Sequence, residues 1–97
     1  MSTLFSNTID ARFADFHAAH PEVFEMFTQY ARNLREAGWT RYSADALLHR
    51  IRWHRHVDKG DRDFALNDHF SSRYARLLIQ ADPTFAGFFE LRRVKRC

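Results

Sequence analysis

The chain has 97 residues, 45% of them hydrophobic and 15% aromatic, with ten Phe, three Tyr and two Trp. That length fits one domain, and that aromatic content excludes a disordered chain. The formal net charge of +3 is modest, and the single cysteine, Cys97, excludes an intrachain disulfide. There is no basic n-region before an apolar run of signal length and no apolar stretch long enough to span a bilayer. The expectation is therefore a soluble protein of the cytoplasm. The charge is uneven: residues 1–38 carry an acidic excess, and residues 39–97 a basic one. An acidic front and a basic back fit a nucleic-acid footprint on the back half, or simply the mixed surface of a basic protein.

In chain order, residues 1–7 read as a flexible arm. Thr8 can cap a helix over about 9–19, in which Ile9, Phe13 and Phe16 share a stripe. His17 and His20 lack a nearby thiolate or carboxylate set and read as surface or capping residues rather than metal ligands. Pro21 suits the first position of a second helix over 21–37, with Glu22 and Glu25 in its first turn and Arg32 and Arg35 near its end. Val23, Phe24, Phe27, Tyr30, Ala31 and Leu34 form its apolar face, and Gly38 supplies the stop. Trp39 and Tyr42 bracket a short connector and would partly bury it through their rings; left exposed, the same two aromatics could equally form a homodimer interface.

Ser43 caps a third helix whose Ala44, Leu47, Leu48 and Ile51 fall on one side, opposite Asp45, His49 and Arg52. A helix that runs through Trp53 leaves that ring on the polar face. A helix that stops near Arg52 lets Trp53 open a strand with Arg55 and Val57 and enter the core, and the scarcity of exposed Trp favours this second course. Asp58-Lys59-Gly60-Asp61 then reads as a hairpin turn between strands at 53–57 and 62–66, with Val57, Phe64 and Leu66 as its apolar positions. Asn67 or Asp68 caps a fourth helix with Phe70, Tyr74, Leu77, Leu78 and Ala81 as its buried stripe. Asp82 and Pro83 start a fifth, carrying Phe85, Phe88, Phe89 and Leu91. Residues 92–97 form a basic tail.

The expected fold is mainly α with one β-hairpin, an α+β arrangement of about five helices and a two-stranded wing. It is a single domain over 1–97 with its core at 8–91. A helix followed by a basic hairpin is the skeleton of a winged-helix, helix-turn-helix type module. Its nucleic-acid-binding candidates are His49, Arg50, Arg52, Arg55, Lys59 and Arg62. Lys59 and Arg62 would meet phosphate, and His49, Arg50 and Arg52 would meet bases. The connector at 38–43 is longer than the usual turn, and Asp45 interrupts the basic face. An arginine here could equally be structural, its stem over Trp53 or its head paired with Asp61 or Asp63.

No Gly-rich phosphate loop, zinc pattern, nucleophile elbow or fixed acid–base pair is present, so no catalytic residue, metal or cofactor is expected. His54 and His56 would share a strand face, a spacing that can bind a metal, though two solvent-facing histidines are the more common outcome. Phe13-x-x-Phe16-His17, Pro21-Glu22-Val23-Phe24, Gly38, Ser43, Ile51-Arg52-Trp53, Asn67, Ser72-Arg73-Tyr74-Ala75-Arg76 and Phe89-x-x-Arg92 resemble a largely uncharacterised family of small bacteriophage and prophage proteins. The resemblance implies a bacterial host cytoplasm and a non-enzymatic role. Two functions follow as expectations. One is a regulatory protein on double-stranded DNA. The other is a counter-defence, anti-CRISPR-like inhibitor that contacts a host protein complex, with Asp10, Asp15, Glu22, Glu25 and Glu36 as its acidic face.

Overall fold

A computed structural model describes residues 8–90, of which 71% are helical. Helix α1 spans Ile9–Ala19, and the Thr8 hydroxyl accepts the Ala11 N–H at 3.1 Å to cap it. His20, at φ −134° and ψ 64°, outside the helical region, separates α1 from α2, Pro21–Glu36, with Pro21 at the first position. Gly38, at φ +104°, then lets the Trp39 N–H return to the Leu34 carbonyl. Strand β1, Tyr42–Ser43, leads into α3, Ala44–Trp53, which Ser43 caps through the Ala46 N–H at 3.2 Å. The expected bounds of α1, the start of α2 and the Ser43 cap are all observed.

The stretch after Trp53 departs from the expected hairpin. Helix α3 continues without a break into one π turn, His54–Asp58, closed by the Lys59 N–H on the His54 carbonyl at 3.0 Å. Gly60 takes φ +67°, as a turn there requires, but it ends a helix rather than joining two strands. Residues 59–67 are irregular, with Phe64 and Leu66 buried. The strands expected at 53–57 and 62–66 do not form. Only Val57 in the first of them is β-branched, and a hairpin of that length is marginal unless packed. Trp53 lies outside the core at 58% exposure and Val57 at 54%.

Asn67 caps a 3-10 turn at Asp68–Phe70, which leads into α4, Ser71–Ala81. In α4, Tyr74, Ala75 and Leu78 are buried, while Leu77 is half-buried and Ala81 exposed. Asp82 caps as expected, its carboxylate accepting the Thr84 N–H at 3.1 Å, but the fifth helix is only a 3-10 turn, Pro83–Phe85. Gly87, at φ +81°, turns the chain into β2, Phe89–Glu90. The described residues therefore hold four α-helices and one small sheet, in which β2 pairs parallel with β1, Tyr42 against Phe89 and Ser43 against Glu90. The two-stranded element joins distant parts of the chain and is no wing. The expected arm at 1–7, Leu91 and the tail at 92–97 lie outside the described residues.

The core is a run of stacked and edge-on rings. Phe13 meets Tyr74 edge-on at 4.7 Å, Tyr74 stacks on Phe27 at 5.6 Å, and Phe27 stacks on Phe89 at 5.3 Å. Val23, Phe27 and Ala31 from α2, Leu48 and Ile51 from α3, and Tyr74 and Ala75 from α4 are fully buried. Burial also raises the Tyr74 phenol well above its ordinary value, and the Glu22 charge adds to that.

Phe27→Ala is expected to destabilise the fold by about 3–5 kcal/mol, seen as a lower urea midpoint. Val57→Asn is expected to change it by less than about 0.5 kcal/mol. A large loss at Val57 would restore the hairpin packing that the structure replaces.

Candidate binding surface

The basic residues singled out above lie on α3, its π turn and the following loop, and they divide into two groups. Arg52 and Arg55 face inward. Arg52 donates to the Leu66 carbonyl at 2.6 Å and to the Asp68 carboxylate, tying α3 to the start of the 3-10 turn. Arg55 spans three elements. It donates to Glu22 of α2 at 3.1 Å and to Asp61 of the loop at 2.8 Å, and its guanidinium carbon lies 4.1 Å from the centre of the Phe64 ring.

The histidines complete this clasp. His54 meets Asp58 at 3.0 Å across one turn, and His56 donates its Nε2 proton to the Phe64 carbonyl at 2.7 Å. His20 stands 3.3 Å from Glu22. The expected strand face shared by His54 and His56 is absent, because a helical turn rotates the two side chains apart. Among the described residues, no group of three or more His, Cys, Asp or Glu is placed to hold a metal ion.

The second group faces outward. His49, Arg50, Lys59 and Arg62 are exposed, and the last three make no ion pair among the described residues. His49 stands 3.8 Å from Asp68. The Arg50 guanidinium lies 5.6 Å from the centre of the Tyr30 ring. Trp53 follows His49 by four residues and Arg50 by three, so the three side chains share one outward ridge of α3. Val57, exposed, extends that ridge along the π turn. On the acidic side, Asp10 pairs with Arg73 at 2.8 Å and Glu22 with Arg55, while Asp15, Glu25 and Glu36 remain exposed.

Sequence reasoning placed His49 and Arg50 on the helix that carries them, but it put Lys59 and Arg62 on a hairpin that does not form, and it missed the ridge because it ended the helix too early. One local signal was readable: His54 and Asp58 stand four apart, a helical pairing. The Glu22–Arg55 pair spans 33 residues and leaves no local trace. No described helix is long and apolar enough to cross a membrane. No family model, no curated protein and no solved structure matches the chain.

Glu22 connects this clasp to pH. Desolvation is the largest single influence and raises its pKa, but hydrogen bonds from its own backbone, His20 and Arg55, with the His20 charge, outweigh it and leave the group below its ordinary 4.5. A depressed carboxylate stabilises the fold above its unfolded pKa and loses that contribution as pH falls through the folded value. The stability difference between wild type and Glu22→Gln is thus expected to be constant near neutrality and to shrink below about pH 4.5. A difference that grows on acidification would contradict the pairing. Arg55→Ala is expected to destabilise by about 1–2 kcal/mol, through lost cover over Phe64 and two released carboxylates. Arg55→Lys should recover little of this, since an ammonium cannot bridge both acids in the same plane.

Proposed function

We propose that the chain is a small, non-enzymatic binding protein that docks on a protein partner through the outward ridge of α3 and its π turn. The observation that carries this is Trp53, held 58% exposed on a rigid helix between His49 and Arg50. Leaving so large an apolar ring in water is unfavourable, and Trp with flanking Arg is the composition of interface anchors. The complementary surface is an apolar pocket edged with carboxylates, which would receive the ring and meet Arg50 and His49. A counter-defence inhibitor that seizes a host protein complex belongs to this class; the phage context rests on the sequence resemblance alone.

A second reading, double-stranded DNA with a regulatory role, is favoured by one observation: Arg50, Lys59 and Arg62 are exposed and make no ion pair among the described residues. The engagement of Arg52 and Arg55 with Asp68, Glu22 and Asp61 leaves that footprint with fewer free cations than the sequence offers.

The test is capture from a nuclease-treated bacterial extract beside titration with random-sequence duplex DNA. Wild type should retain a discrete protein that Trp53→Ala and Arg50→Ala lose and Asp15→Ala, on α1, keeps. Duplex binding in the micromolar range at about 50 mM salt, weakening steeply as salt rises, would transfer the assignment to DNA.

A further inference from the structure

Between the second half of α2 and α3 lies an open groove of about 310 Å³, whose lining includes Tyr30, Asn33, Leu34, Tyr42, Ala46 and Arg50. Its walls are apolar except at Asn33, Arg50 and the two tyrosines. Asn33 accepts a hydrogen bond from Gln29 at 2.9 Å, whereas the tyrosine hydroxyls make none among the described residues. Three arginines belong to α3 and its π turn. Two of them, Arg52 and Arg55, are taken by carboxylates of the chain itself. Arg50, between them and the groove, meets no carboxylate among the described residues and lies over the Tyr30 ring. A guanidinium lining a largely apolar groove is complementary to a carboxylate attached to an apolar body.

We infer that this groove is a binding site for a small apolar carboxylate. Its aromatic or branched body would lie on Tyr30, Leu34, Tyr42 and Ala46, and its carboxylate on Arg50. Ala46 sets the width of the groove, because any larger side chain there would project into it. The site is separate from partner docking at Trp53, although Arg50 borders both.

Titration of isotope-labelled protein with hydrocinnamate, followed by amide chemical shifts, tests this. The shifts should be confined to the second half of α2, β1 and α3 as far as Arg50 and its neighbours, and should saturate with a Kd of about 1 mM or tighter. Hydrocinnamide, the uncharged analogue, should bind about tenfold more weakly, and Arg50→Gln should bring the acid down to the level of the amide. Ala46→Phe, which fills the groove while keeping a helix-compatible residue, should abolish both. Scattered shifts, no saturation by about 10 mM, or equal binding of acid and amide would overturn the proposal. So would binding of a blocked Asp-Phe-Asp peptide where the free acid does not bind, since that would assign the groove to protein partners. The assay contains no partner, so its failure leaves the docking reading untouched.

Discussion

The Arg55 guanidinium is the contact on which the shape of the second half of this protein depends. It joins the first turn of α2, the π turn and the loop at Asp61, and it covers Phe64. Few side chains could make these contacts together. The planar fork reaches two carboxylates at once, and its face lies on an aromatic ring. The backbone follows from this. The Asp61 N–H returns to the Arg55 carbonyl at 2.8 Å, so the loop folds back against the helix end that it leaves. Phe64 and Leu66 are delivered to the core, and the helix is free to run on through Trp53.

The same contact explains why the outward ridge of α3 exists. Had the chain turned into a strand at residue 53, Trp53 would have alternated with its neighbours and one set would have faced the core. The π turn, wider than an α turn, continues the right-handed winding of the helix and leaves Trp53 and Val57 outside. Two arginines hold the fold through internal acids and one remains at the surface. The residues that looked like a single basic patch therefore separate into structural and exposed members, and only the exposed members are free to meet a partner.

Much of the fold was legible from sequence because it rests on local chemistry. Thr8, Ser43, Asn67 and Asp82 announce helix or turn starts through short oxygen side chains, and each accepts an amide as expected. The apolar spacing of α2 and α3 identified their buried faces for the same reason. The region from Trp53 to Leu66 was not legible. Asp-Lys-Gly-Asp satisfies a hairpin turn and a helix stop equally well, and the tie that decides between them is a contact with Glu22 far back in the chain. The region after Pro83 failed for a related reason: Gly87 and the pairing of β2 with β1 end a helix that the phenylalanine spacing alone would continue. For the candidate surface, His49 and Arg50 were placed on the helix that carries them, Lys59 and Arg62 on a hairpin that does not form, and the exposure of Trp53 was missed, because the scarcity of exposed Trp outweighed the continuity of the helix.

The most direct test of this account is the solvent exposure of Trp53, read as acrylamide quenching of its fluorescence in a Trp39→Phe protein. The account predicts red-shifted emission and quenching close to that of a free tryptophan analogue. Blue-shifted emission that resists quenching would place the ring in the core, restore the strand at 53–57 and remove the ridge on which the docking function rests.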